Sequence, residues 1–192
     1  MTVNELPDAV RKKRAMTLLN QGHLDSAREL LDDLCRDDQN DIEIWSLHIT
    51  ANGFLGRFDD VIASSRKALT LDPEYLPALN SLASALAAVG RHEEATEHFA
   101  ALLELAPENP ASLNNYGHCL FLMDNIDEAR AAFEAAIQIQ PYYAEAHYNL
   151  GILLEKCGNG TGALQEFEKA ASLKPALPGL QERLGELKKQ LP

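Results

Sequence analysis

Apolar residues recur along the chain at intervals of three and four residues, which is the period of one face of an α-helix. Residues that show this spacing include Ala129, Phe133 and Ala136, and then Ala163, Phe167 and Ala170. Several of these stretches end at a proline, which cannot continue the hydrogen-bond ladder of a helix. The pattern therefore predicts a chain of short amphipathic helices.

The helical pattern returns at one fixed interval along the chain. The prolines that close it are evenly spaced, at Pro73, Pro107, Pro141 and Pro175. Gly117 and Gly151 occupy a second common position, and Ala83 stands at the equivalent place one interval earlier. Because small residues let two helices cross closely, each interval predicts one helix pair. One pair cannot bury its apolar face alone, so the pairs must stack.

This pattern resembles the tetratricopeptide repeat, a helix-turn-helix unit whose length of about 34 residues equals the spacing of the prolines. After a tail at 1–7, the resemblance places the repeat units at 8–41, 42–75, 76–109, 110–143 and 144–175. The last three units match best. The second keeps the leading tryptophan as Trp45 but has His48 and Ile49 in place of Leu-Gly, and Val61 in place of a small residue. In the first unit, Gln39 replaces the closing proline.

The resemblance implies an all-α fold, a right-handed superhelical solenoid of five tetratricopeptide helix-turn-helix repeats. Residues 176–192 follow the last unit. Their leucines are spaced as one face of a helix requires, at Leu177, Leu180, Leu184, Leu187 and Leu191. We expect this segment to form a C-terminal capping helix over the last pair, which indicates an array that is complete at this end.

Charge and composition limit the classes of partner. The 192 residues carry a formal net charge of -12, so neither nucleic acid nor an anionic membrane is expected to bind. No apolar run approaches the ~20 residues that cross a bilayer, which argues against membrane insertion. The start of the chain has no apolar stretch of the kind found in a secretory signal. Three cysteines without a close pair fit a reducing compartment, so we expect a cytoplasmic protein.

Two stretches have the residue types of ligand sites, and we interpret both as structural. Gly158–Ala163 is interpreted as a loose turn rather than a phosphate loop, because no Gly-Lys-Ser/Thr completes the motif. His92 and His98 are too far apart to share one face of a helix, unlike a helical zinc pair. No metal site or cofactor is predicted.

Charged and reactive residues elsewhere receive the same interpretation. The basic run at 11–14 and the acidic residues between 25 and 41 are expected to be solvated faces. Cys119 is expected to pack in the core, because no His–Asp relay is visible in the pattern. His147 stands where the second unit has Trp45, so a packing role is expected for it as well. No catalytic residue is predicted.

The first helices of the units are predicted to turn one face toward the inner curve of the array. The candidate peptide-binding residues on this concave face are Asn80, Ser84, Asn114, Asn115, His118, Phe121, Tyr148 and Asn149. Asn115 and Asn149 share a helical phase and resemble the asparagine ladder in the repeat domain of O-GlcNAc transferase. An amide side chain has donors and an acceptor, so the row is expected either to bind a peptide backbone or to be merely solvated.

We expect a non-catalytic scaffold or adaptor that binds an extended peptide or a helix of an unknown protein partner in its concave groove. Two alternatives stay open: the substrate-recruiting repeat portion of a glycosyltransferase or sulfotransferase, and a chaperone for secreted proteins. Related co-chaperones use a clamp of Lys, Asn and Arg residues, and here its positions hold Lys12, Met16, Leu47, Pro77 and Ser81. The missing clamp makes acidic chaperone tails poor partners. Weak self-association through the repeat ends is also left open.

Overall fold

The structure is a computed structural model that describes residues 6–190, and these residues form eleven α-helices and no β-strand. The helices are α1 (Asp8–Asn20), α2 (Leu24–Asp37), α3 (Ile42–Phe54), α4 (Phe58–Leu71), α5 (Leu76–Ala88), α6 (His92–Leu105), α7 (Pro110–Leu122), α8 (Ile126–Ile139), α9 (Ala144–Lys156), α10 (Gly160–Leu173) and α11 (Leu180–Gln190). The first residues of α1, α3, α5, α7 and α9 are evenly spaced along the chain, with the same interval as the closing prolines. The all-α prediction is confirmed. The bounds of the repeat units stay a prediction, and residues 1–5 of the predicted tail lie outside the described residues.

The first helix of each pair ends in the same turn. The residue two places beyond the helix has a left-handed backbone, with φ between 65° and 81°, at Gly22, Gly56, Gly90, Asp124 and Gly158. In each turn the next N–H donates to the carbonyl five residues earlier, as His23 does to Leu18 at 2.9 Å. This bond closes a helix in a Schellman motif, where glycine is favoured because it has no Cβ to clash. Only Asp124 departs from glycine among these turns, which recur with the repeat period of the sequence.

The chain divides into two compact units, Met1–His98 and Phe99–Pro192. In the first unit, α1 packs on α2, α2 on α3, α3 on α4 and α4 on α5. One apolar cluster joins α1, α2 and α3 through Ala15, Leu30, Leu31, Leu34, Cys35, Ile44 and Ala51. Adjacent helices therefore bury their apolar faces against one another, as stacked pairs require.

In the second unit, α7 packs on α8, α8 on α9, α9 on α10 and α10 on α11. The predicted close crossings are present, because a Cβ added to Gly117 would lie 2.9 Å from Cε1 of Phe133. A Cβ on Gly151 would lie 2.6 Å from the ring of Phe167. Both phenylalanines are almost fully buried. Glycine thus lets the ring from the second helix lie against the backbone of the first.

The predicted capping helix forms as α11. One cluster joins Phe167 to the buried leucines of this segment, which are Leu177, Leu180, Leu184 and Leu187. Leu191, predicted on the same face, lies outside the described residues. At the edge of the cluster, Nη1 of Arg183 is 2.5 Å from Oε2 of Glu155. The helix therefore covers the apolar face of the last pair.

The stretch Gly158–Ala163 differs from the loose turn that the sequence predicts. The turn includes Gly158 and Asn159, and α10 begins at Gly160. Oδ1 of Asn159 accepts the N–H of Gly162 at 3.0 Å and so caps the helix. A Cβ on Gly162 would approach the Asn159 side chain to 2.7 Å, so glycine keeps this cap in place. The stretch is mainly the capped start of a helix.

The start of α3 is capped by Asp41. Its Oδ1 accepts the backbone N–H groups of Glu43 at 2.9 Å and Ile44 at 3.3 Å. Nζ of Lys12, on α1, lies 2.8 Å from Oδ2 of Asp41 and 2.6 Å from Oε2 of Glu43. Burial alone would raise the pKa of Asp41, but the hydrogen bonds from Lys12 and the two backbone N–H groups outweigh it, so the pKa is lowered. The cap thereby links α1 to α3.

We expect Asp41→Ala to lower the free energy of unfolding by about 1–2 kcal/mol, the usual cost of a lost N-cap. Asp41→Asn keeps a capping oxygen but removes the charge, so it isolates the pairing with Lys12. Because the folded pKa lies below the ordinary 3.8, the charge stabilises the fold above about pH 4, and this contribution is lost as the pH falls through the folded pKa. Unfolding in urea can be followed by the fluorescence of Trp45, the single tryptophan. The free energies of unfolding of the original chain and of Asp41→Asn should become equal at acid pH. A stability difference that is the same at neutral and acid pH would contradict the charge pairing.

Candidate functional site

The predicted site residues lie on three first helices. Asn80 and Ser84 are on α5, in the first compact unit, and the other six are on α7 and α9, in the second. Neither α5 nor α7 contains Asp, Glu, Lys or Arg, whereas α6 and α8 each contain several such residues. The helices α5 and α7 are thus uncharged in an acidic protein.

In the second unit, three asparagines form a hydrogen-bonded chain. Nδ2 of Asn149 donates to Oδ1 of Asn114 at 2.9 Å, and Nδ2 of Asn114 donates to Oδ1 of Asn115 at 3.4 Å. Asn114 is only 5% exposed, while Asn115 and Asn149 are half-buried. Asn114 therefore connects the other two asparagines, and its amide group is used within the protein.

The chain of asparagines leaves two hydrogen-bonding groups over. The two bonds use Nδ2 of Asn149 and Oδ1 of Asn115, so Oδ1 of Asn149 and Nδ2 of Asn115 take no part in the chain. One is an acceptor and the other is a donor. A peptide group has one of each, so this pair of atoms has the chemistry to bind a polypeptide backbone.

Phe121 and His118 lie further along α7. The ring of Phe121 is half-buried, and Nζ of Lys156 lies 4.9 Å from its centroid, a cation–π distance. The same Nζ is 2.5 Å from Oδ1 of Asp124. His118 is exposed. Lys156 therefore covers part of a ring that the sequence predicts to contact a partner.

Tyr148 lies between the last helix pair and α11. Its ring centroid is 5.6 Å from that of Phe167. Gly179, with a φ of +75°, passes so close that an added Cβ would lie 3.1 Å from Oη of Tyr148. Much of the tyrosine thus contacts the cap.

In the first unit, Asn80 and Ser84 help to line a pocket between α3, α4 and α5. It has a volume of about 390 Å³, and Phe54 and Phe58 also line it. These two rings are 68% and 39% exposed. Phe58 was not among the predicted residues. Its signal in the sequence was an aromatic residue at the start of a second helix, where the other pairs have Leu24, His92, Ile126 and Gly160.

A hydrogen-bonded Ser–His–Asp set in the first unit was also missed. Nδ1 of His48 is 2.7 Å from Oγ of Ser64, and Nε2 is 2.8 Å from Oδ1 of Asp32. Ser64 is buried and donates its hydroxyl hydrogen to the carbonyl oxygen of Asp60 at 2.8 Å. Because Ser64 is only 2% exposed, its hydroxyl is not presented to a substrate as a nucleophile would be. The set links α2, α3 and α4, and its signal was a histidine where the third and fifth pairs have leucine.

His147 is buried, as predicted. Its Nδ1 is 2.6 Å from Oε2 of Glu166, and its Nε2 is 3.0 Å from the carbonyl oxygen of Pro141. These two oxygens hold the ring between them. The histidine thereby ties α9 to α10 and to the turn before α9.

Cys119 is also buried, as predicted, and burial raises the pKa of its thiol to about 11. It therefore stays protonated near neutral pH and is a poor nucleophile. Within residues 6–190, no group of three His, Cys, Asp or Glu side chains is arranged to hold a metal ion. None of the helices in the same range has both the length and the apolar character needed to span a bilayer.

Comparisons with known proteins agree with this architecture. Sequence profiles of the tetratricopeptide repeat match residues 13–33, 74–141 and 120–181. No curated protein matches the sequence significantly.

Several solved structures share the fold at low identity. MamA from Desulfovibrio magneticus RS-1, from residue 41 to its end, is 19% identical with a TM-score of 0.82, covering 88% of this chain and 96% of that one. YrrB, a TPR protein with an unusual peptide-binding site, is 21% identical with a TM-score of 0.78, covering 93% and 90%. TTC0263, a thermophilic TPR protein from Thermus thermophilus, is 18% identical with a TM-score of 0.70, covering 95% and 100%. At these identities the likeness establishes the fold.

Proposed function

The chain belongs to the tetratricopeptide repeat family, and on that basis we propose that it is a non-catalytic scaffold that binds an extended segment or a helix of a partner protein. Tetratricopeptide repeat proteins are in general scaffolds for protein interaction. YrrB, which shares the fold, has an unusual peptide-binding site. In this chain the partner segment would lie over the first helices of the pairs.

The observation that carries the proposal is the pair of atoms left over by the asparagine chain. Oδ1 of Asn149 and Nδ2 of Asn115 are held in place because Asn114 bonds to both side chains. An acceptor and a donor fixed in this way lose little entropy when they bind a peptide group. They bind backbone rather than side chains, so they give register without demanding a sequence.

Affinity requires apolar contact as well, and Phe121 supplies it on α7. Its half-buried ring lies on the same helix as Asn114 and Asn115. Aromatic residues of this kind carry much of the binding energy in protein interfaces. The partner is a protein rather than nucleic acid on this proposal, because the chain has a formal net charge of -12. Weak self-association through the repeat ends and a cytoplasmic location stay predictions.

Asn115→Asp is expected to weaken partner binding about fivefold, which corresponds to one lost hydrogen bond of about 1 kcal/mol. The change keeps Oδ1 toward Asn114 and replaces the amide donor by a carboxylate oxygen. Stability should therefore stay within ~0.5 kcal/mol of the original chain. The partner would be captured from native lysate on the immobilised chain, its binding segment mapped with overlapping peptides, and the affinity measured by titration calorimetry.

Asn125→Ala is the matched control for this experiment. Asn125 is an exposed asparagine in the turn after α7, and its side chain does not cap α8. We expect its removal to leave affinity unchanged. Asn115→Ala, which adds no charge, should weaken binding as Asn115→Asp does. If both Asn115 variants bind the mapped peptide as tightly as the original chain, the asparagines are not part of the binding surface.

A further inference from the structure

The pocket between α3, α4 and α5 has the form of a receptor for one bulky side chain. Its floor includes Ile49 and Val61, which are 6% and 4% exposed. Phe54 and Phe58 contribute its exposed aromatic rings. At about 390 Å³, its volume lies within the ~300–1,000 Å³ of protein ligand pockets.

Phe54 is the most unusual residue of the pocket. It is 68% exposed, a larger fraction than for any other phenylalanine or leucine that the structure describes. Single exposed apolar residues are ordinary on protein surfaces. Here, however, the exposed ring stands beside a second exposed ring and a concave apolar floor. That combination is typical of an interaction site.

The side of the pocket formed by α5 is polar but uncharged. Ser81 and Ser84 are half-buried there, and a hydroxyl can both donate and accept. None of the residues that line the pocket is charged. The sole charged residue of α3 is Glu43, in its first turn, where Lys12 lies 2.6 Å away. The pocket, lined by the later part of α3, therefore has no fixed charge to pair with a ligand.

Charged groups do occur nearby, at the start of α4. Nε of Arg57 lies 3.2 Å from Oδ2 of Asp60, so these two charges pair with each other. Asp59 is exposed beside them. A charged side chain that enters the pocket would leave water for a site whose lining carries no charge, which is costly. An apolar side chain would instead gain contact with the rings and the floor.

We infer that this pocket binds a bulky aliphatic or aromatic side chain from an uncharged segment of the partner protein. The inference rests on the proposed function and names the chemistry of the segment: one apolar anchor, with no Lys, Arg, Asp or Glu beside it. The anchor enters between Phe54 and Phe58, and the backbone of the segment passes Ser81 and Ser84. Recognition at this pocket is hydrophobic, so it depends little on salt.

The test uses a phage-displayed library of short random peptides, selected on the full chain. We expect the selected peptides to share one Leu, Ile, Met, Phe or Trp in an uncharged stretch. Phe54→Asp should weaken binding of the best synthetic peptide at least tenfold, as measured by calorimetry. For the original chain, the dissociation constants in about 50 and about 500 mM NaCl should agree within twofold. Ser84→Trp, which fills the pocket from α5, should weaken it similarly. Circular dichroism of both variants verifies that they are folded.

Leu122→Asp is the matched control. Leu122 is the last residue of α7, as Phe54 is of α3, and it is 49% exposed. The substitution should change the affinity for the peptide less than twofold. Selected peptides with acidic or basic anchors, affinity that survives Phe54→Asp, or a Phe54-dependent dimer of the chain itself would each overturn the inference. Peptides whose binding depends on Asn115 but not on Phe54 would overturn the inference and leave the proposed function intact. A library that yields no binder would count against both.

Discussion

Replacing Phe133 by alanine is expected to lower the free energy of unfolding by about 3–5 kcal/mol, the usual cost of removing a buried phenylalanine. The ring is 1% exposed and belongs to a cluster with Leu120, Ala129, Leu150 and Leu153. It lies against the backbone at Gly117, where an added Cβ would be 2.9 Å away. A rigid backbone cannot close the resulting cavity, so the loss should lie near the top of the range. Chemical denaturation of the full chain measures it.

Two further variants test the physical reason. Glu134→Ala alters the exposed neighbour of Phe133 on α8 and should cost no more than ~0.5 kcal/mol. Gly117→Ala should destabilise the original chain, because the new methyl group overlaps the ring. In the Phe133→Ala background the same methyl group would enter the cavity, so its cost should fall or change sign. Additive effects of the two changes would mean that the glycine and the ring do not form one crossing.

The architecture could be predicted from sequence because the packing rule is local and repeated. Gly117 and Phe133 have the same separation along the chain as Gly151 and Phe167, and the structure brings each pair into contact. A pattern that recurs at a fixed interval predicts both the helix pair and its stacking. The left-handed turns after each first helix follow the same period, including Asp124, where no glycine marks the turn.

The second helix pair was less predictable because the large and small residues of its core have changed places between the two helices. Ile49 takes the position of the glycines, and Ser65 takes the position of the phenylalanines. Both are buried, at 6% and 0% exposure. A large residue on one helix therefore accompanies a small one on the other, which preserves volume but breaks the sequence pattern. The polar set around His48 adds contacts that no periodicity predicts.

The candidate site was predictable only as a face of helices. Asn80 and Asn114 share a helical phase, yet Asn80 is exposed and Asn114 is buried. Asn114 lies beside a neighbouring helix, because Asn149 on α9 donates to it. Tyr148 likewise shares its surroundings with the segment after α10. The helical phase of a residue gives the direction of its side chain, whereas its exposure depends on which side chains of neighbouring helices contact it.

Deleting residues 176–192 is expected to lower the melting temperature by several degrees or more and to make the chain associate. Leu180, Leu184 and Leu187 are buried against α9 and α10, and Phe167 is fully buried in the same cluster. The loss of even one such leucine contact costs about 2–5 kcal/mol, which corresponds to several degrees in a chain of this size. Without α11 the last pair would expose a continuous apolar face, and faces of that kind bind one another.

Two double variants test whether the buried face of α11, rather than the mere presence of the helix, stabilises the chain. Leu180→Ala with Leu187→Ala should lower the melting temperature while the helix remains, because both leucines are at most 4% exposed. Gln181→Ala with Glu186→Ala alters exposed positions of the same helix and should leave the melting temperature nearly unchanged. Sedimentation velocity at several concentrations would then show larger species for the truncated chain and not for the Gln181/Glu186 variant. A truncated chain with the sedimentation coefficient and melting temperature expected of the intact array would mean that α10 does not need α11 to cover Phe167.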